Sequence, residues 1–174
     1  MREIAAKNLN LNTLIMRKII FLILPALILL SAKTDEDPKT YLKRFFSVIK
    51  SGNKKNFRQL FMTEKEFVVV IDNASWSPEK KESVKKRGTQ ALFDKMAEDN
   101  FIRIAEKSKE YHFDWSKAVI DSAVFKENTK ELPDLRYYIY VSSGKVHAYL
   151  FGDKCLKTAS GRKLAGGIGF LNIP

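Results

Sequence analysis

The chain has one cysteine, Cys155, and two histidines, His112 and His147. A lone cysteine closes no intramolecular disulfide, so a disulfide-stapled scaffold is excluded. No His-Cys or His-Asp cluster has metal-ligand spacing, so neither a metal nor any other cofactor is expected. A GxSxG elbow, a P-loop and a Rossmann fingerprint are all missing. The nearest approach to a glycine motif, Gly166-Gly167-Ile168-Gly169, opens no helix and reads as a sharply bent strand. No apolar run reaches the roughly 20 residues needed to cross a bilayer. Internal repeats are absent too.

What is present begins with a leader-like start. Arg17-Lys18 precede an apolar run, Ile19 to Leu30, which meets the small residues Ser31-Ala32 and then a charged stretch. Basic region, apolar core and small residues form the layout of a secretory signal. Residues 1–32 are therefore expected to be a signal peptide, with Met16 as the true start and 33–36 a short linker. The expected location is the periplasm or the exterior. The alternative is a membrane anchor left by an uncleaved signal. No cysteine stands near the cut, which sets aside a lipid anchor on cysteine.

Residues 37–174 are long enough for a single domain with a real core. The whole chain carries a net charge of +11. Setting aside the leader, with Arg2, Lys7, Arg17 and Lys18 against Glu3, leaves the remainder strongly basic. Basic charge favours acidic partners such as an anionic envelope surface. Nucleic acid is the least expected of these partners.

Asp37-Pro38 opens a first helix as cap and first turn, and Gly52 suits its left-handed end. Tyr41, Leu42, Phe45, Phe46 and Ile49 recur at helical spacing. A short helix carries Phe57, Leu60 and Phe61. Thr63 with Glu66 forms a capping box, which favours helix over strand for the β-branched run Val68-Val69-Val70. Ser77-Pro78 starts what reads as one long helix to about Glu110. Its expected apolar line is Val84, Ala91, Leu92, Met96, Phe101, Ile104 and Ala105, with Gly88 as its weak point.

The period then changes to two. A strand is expected from Lys117 to Lys126. From Leu135 to Val141, Leu135, Tyr137, Ile139 and Val141 face one way, and Arg136, Tyr138 and Tyr140 the other. After a turn at Ser142-Ser143-Gly144, Val146, Ala148 and Leu150 face opposite to His147, Tyr149 and Phe151. A turn at Ala159 to Arg162 leads to a last strand through Ile168 and Leu171. The expected fold is α+β, with N-terminal helices packed in a curved, four-stranded antiparallel sheet.

This order resembles the nuclear-transport-factor-2-like (NTF2-like) superfamily, and within it a group of secreted bacterial proteins of Bacteroidetes type. The resemblance rests on Asp114-Trp115-Ser116-Lys117-Ala118-Val119, on Tyr138-Ile139-Tyr140-Val141, and on Asp153-Lys154-Cys155-Leu156-Lys157-Thr158. It implies a cone-shaped fold with a cavity at its open end. It fixes no activity, because the superfamily hosts enzymes, carriers and interaction domains. Where that group commonly has tryptophan after the last turn, this chain has Arg162-Lys163.

If the tyrosine-bearing face lines the cone, Arg136, Tyr138, Tyr140, His147 and Tyr149 are the expected ligand contacts. His147 with Asp121 is the alternative, an acid–base pair for isomerase or dehydratase chemistry. Lys80, Lys81, Lys85, Lys86 and Arg87 crowd one helix start, where they can grip anionic headgroups or simply form a solvated face. Cys155 reads as a buried small hydrophobe. The leading expectation is an exported, non-catalytic binding domain for a small apolar ligand or a protein partner, the latter including a second copy. N-terminal sequencing is expected to find Met16 at the start of the precursor and Lys33 at the start of the exported protein.

Overall fold

A computed structural model describes residues 36–128 and 131–173. The expected signal peptide lies outside the described residues. Helix α1 is Pro38–Ser51, started by Asp37, whose carboxylate accepts from the Lys39 N–H at 2.8 Å. It stops at Gly52, which takes φ +59°. The apolar stripe buries Tyr41, Leu42, Phe45 and Ile49. After the short helix α2, Lys54–Arg58, the capping box forms at Thr63 and Glu66 and launches α3, Glu64–Asp72. Satisfying the first-turn N–H groups outweighs the strand preference of the three valines.

The single helix expected from Pro78 to Glu110 is instead two: α4, Pro78–Lys85, and α5, Gln90–Glu110. The chain breaks at Gly88 because the Phe67 ring of α3 lies against it. A Cβ there would stand 2.0 Å from that ring. Thr89 then caps α5 afresh, accepting from the Leu92 N–H. The expected apolar line also needs correction. Phe93, Ala97, Asn100, Ile104 and Ser108 face inward, while Ala91, Leu92 and Ala105 are exposed. Two polar residues complete the inward stripe, and each is satisfied. The Asn100 side-chain oxygen accepts from the Ile168 N–H at 2.8 Å, and the Ser108 hydroxyl donates to the Ile104 carbonyl at 2.5 Å.

A short 3-10 turn, Trp115–Lys117, leads into the sheet. Its strands are β1 Val119–Asn128, β2 Asp134–Ser143, β3 Val146–Thr158, β4 Gly161–Leu164 and β5 Ile168–Ile173. All pairings are antiparallel, in the order β1-β2-β3. The far edge of β3 is shared: β5 pairs its first half, His147 to Gly152, and β4 its second, Cys155 to Thr158. The expected last strand is thus two pieces, parted at Ala165-Gly166-Gly167. Gly166 is required there, since a Cβ would meet Asp153 at 2.3 Å. The turn before β3 is likewise shorter than expected, because Ser142 and Ser143 still pair as strand.

The helices cover one face. Tyr137, Ile139, Val141, Ala148 and Leu150 of that face pack into one core with Tyr41, Phe45 and Phe57. The α+β assignment therefore holds, with an antiparallel sheet. Among the described residues no helix is long and apolar enough to cross a membrane.

One clasp ties the start of the domain to β4. Glu36 accepts from both Nε and Nη2 of Arg44 at 2.8 Å and from the Arg162 N–H at 2.7 Å. Arg162, nearly sealed from solvent, donates back to the Glu36 carbonyl at 2.9 Å and to Glu127 at 2.6 Å. Burial pushes the Glu36 carboxyl up, but the Arg44 hydrogen bonds, the Arg162 N–H and both guanidinium charges outweigh it and hold the pKa below the ordinary value. A depressed folded pKa gives stability that is present above the unfolded value, near 4.5, and lost as pH falls through the folded one. Glu36→Gln is expected to destabilise the domain at pH 7 by about 1–2 kcal/mol. The gap to wild type should narrow towards pH 3, as read from urea midpoints across that range.

Candidate binding face

The strand period that sends Tyr137 into the core sends its neighbours out the other side. Register then aligns them: Tyr138 is opposite Phe151, Tyr140 opposite Tyr149, and Ser142 opposite His147. On the outer strands, Val124 is opposite Tyr138, and Leu171 and Ile173 are opposite Tyr149 and His147. The rings form a continuous row. Tyr138 and Tyr149 are stacked at 6.0 Å, Tyr140 and Tyr149 stand 5.0 Å apart, and Tyr149 and Phe151 5.6 Å apart. Phe151 lies over Gly169, where a Cβ would come within 2.0 Å of the ring, so this glycine makes room for the row. Val124, Tyr140 and Leu171 are 48, 43 and 51 % exposed.

All five expected ligand contacts, Arg136, Tyr138, Tyr140, His147 and Tyr149, therefore share one face. The condition attached to them fails, however. This face is turned away from the helices, and the helix-covered side presents Leu135, Tyr137, Ile139 and Val141, all fully buried. Phe151, Val124, Leu171 and Ile173 belong to the same patch and are not among the expected ligand contacts, although strand spacing already sets Phe151 on the face of His147 and Tyr149. The period of two along β3 and β5 was the available signal.

His147 and Asp121 do meet, with Nδ1 to Oδ2 at 3.9 Å. The other Asp121 oxygen accepts from the Ser142 hydroxyl at 2.8 Å. The two side chains are 57 and 43 % exposed, so water reaches both. The described residues contain no cluster of three acidic, histidine or cysteine side chains suited to a metal.

The basic residues of α4 are largely paired. Lys80 meets Glu131 at 2.8 Å and sits 4.4 Å from the centre of the Trp76 ring. Lys81 donates to the Asp72 carbonyl, and Lys85 bridges Asp72 and Glu82. Lys86 and Arg87 are exposed. Cys155 is buried, as expected, and burial pushes its thiol up to about 12, which keeps it protonated and unreactive. Trp115 packs between Phe113 and Phe170 and donates to Ser108, a structural role.

Comparison with protein-family models, with curated proteins and with solved structures finds no match to this chain.

The tyrosines divide by environment. Burial raises Tyr41 and Tyr137 well above the ordinary phenol value. Tyr149 is also raised, by partial burial and then by the neighbouring Tyr140 and Tyr138. Absorbance at 295 nm during alkaline titration is expected to show Tyr41 and Tyr137 ionising only as the fold opens. In Tyr138→Phe/Tyr140→Phe, the late Tyr149 step should move to lower pH.

Proposed function

We propose that the chain is an exported, non-catalytic binding domain that engages a protein partner through the open face of its sheet. The observation that carries this reading is the contiguous row Tyr138, Tyr140, Tyr149 and Phe151, flanked by Val124, Leu171 and Ile173 and left uncovered by the described residues. An apolar patch of this kind, rimmed by polar groups, is what interaction sites present. Tyrosine and arginine are also the residues that dominate interface energetics. Of the two ligand classes expected, a small apolar molecule has less support, because the side chains of the helix-covered face pack against one another.

The leader-like start supports export. Helices ahead of an antiparallel sheet support a divergent NTF2-like domain, and whether the sheet closes into a cone is part of that proposal. The 3.9 Å contact of His147 with Asp121 favours the acid–base reading to the extent that the two residues meet. Their exposure argues for a polar corner of the binding face instead. Carboxylates match Lys80 and Lys85, which leaves the charges of Lys81, Lys86 and Arg87 as the basic surface of this segment for anionic headgroups.

Tyrosine-directed footprinting tests the reading. In cells cross-linked before lysis, Tyr138, Tyr140 and Tyr149 are expected to be protected relative to the dilute purified protein. Protection confined to Tyr111 at the end of α5, or equal labelling in both settings, would defeat it.

A further inference from the structure

We propose that the partner of the open face is a second copy of this chain, stacked sheet to sheet across a two-fold axis. The inference rests on the binding role just argued and names its occupant. Its basis is how charge is laid out on the face. Lys126 and Arg136 are register partners at one end of β1 and β2. Asp121 lies at the other end of β1, beside Ser142 and His147. Between the two ends the face carries Val124, Tyr138, Tyr140, Tyr149, Phe151 and Leu171, all without formal charge.

A two-fold axis lying in the interface, perpendicular to the strands, turns one copy end for end above the other. Each β1 then crosses its counterpart, and Lys126 of one copy faces Asp121 of the other, twice over. The tyrosine rows meet in the middle. Self-complementarity of this kind is what an isologous interface requires. An unrelated partner would need no such relation between the two ends of a single strand. The opposite stacking, with the axis along the strands, would bring the Lys126 and Arg136 ends of both copies to the same side of the interface, away from Asp121, and is disfavoured by like charge.

Size sets the strength. Strands about 4.8 Å apart and about 3.3 Å per residue make β1, β2, β3 and β5 a patch roughly 20 Å on a side. That is the low end for a specific interface. The chain's net charge of +11 opposes association of like copies. Dissociation in the micromolar range is therefore expected rather than a permanent dimer.

Sedimentation velocity of the purified protein from about 1 to 200 µM reads this directly. Wild type should pass from monomer to dimer. Leu171→Lys, at an exposed position, should stay monomeric while its circular dichroism matches wild type. Asp121→Lys and Lys126→Asp should each weaken the dimer about five-fold or more. The double variant Asp121→Lys/Lys126→Asp, which exchanges the two charges, should return to within about two-fold of wild type. A monomer at every concentration, a dimer indifferent to Leu171→Lys, or a double variant no better than the singles would each overturn the second copy as occupant. The binding role fails separately, only if the footprint in cross-linked cells is also missing.

Discussion

The alternation along β2 is the constraint on which the rest depends. Leu135, Tyr137, Ile139 and Val141 must all be sealed, so Arg136, Tyr138 and Tyr140 must all be out. A slip of one residue in register would exchange the two sets, placing Arg136 in the core and four apolar side chains in water. Tyr137 holds the strand in place. Its ring packs against Tyr41 and Phe45 at 5.8 and 5.0 Å and lies over Gly152 of β3, where no side chain would fit. Helix packing on one side and an aromatic face on the other are two results of the same strand pattern.

How much of this was legible depends on whether the signal was local. Asp37, Thr63 and Ser77 announced three helix starts, because a cap and its N–H partners lie within one turn of each other. The face pairing of β2 and β3 followed from period two and a short turn. The break at Gly88 was not legible, because its cause is the ring of Phe67 from another helix. The phase of α5 was misread because Asn100 and Ser108 occupy inward positions, and a scan for apolar residues passes over them. Asn100 is tolerated inside only because the Ile168 N–H, far along the chain, comes to its side-chain oxygen.

The candidate site shows the same division. Strand spacing placed Arg136, Tyr138, Tyr140, His147 and Tyr149 together. Which side of the sheet the helices would cover is a tertiary matter that spacing does not carry. The contact of His147 with Asp121 depends on an irregularity in β1 between Ile120 and Ser122, which a regular alternation does not anticipate. Likewise, Arg162 follows the turn at Gly161 as a buried guanidinium matched to Glu127 and to the Glu36 backbone, partners far off in the chain.

The Glu36 clasp has a consequence for how much chain the domain can lose ahead of its first helix. The expected excision point after Ala32 leaves only Lys33, Thr34 and Asp35 ahead of the residue that fastens β4. Trimming that proceeds through Glu36 removes the carboxylate that Arg44 and the Arg162 N–H share. At that step the tether is gone, and β4 is held by its pairing with β3 and by the hydrogen bonds of Leu164 with Leu60 and Met62.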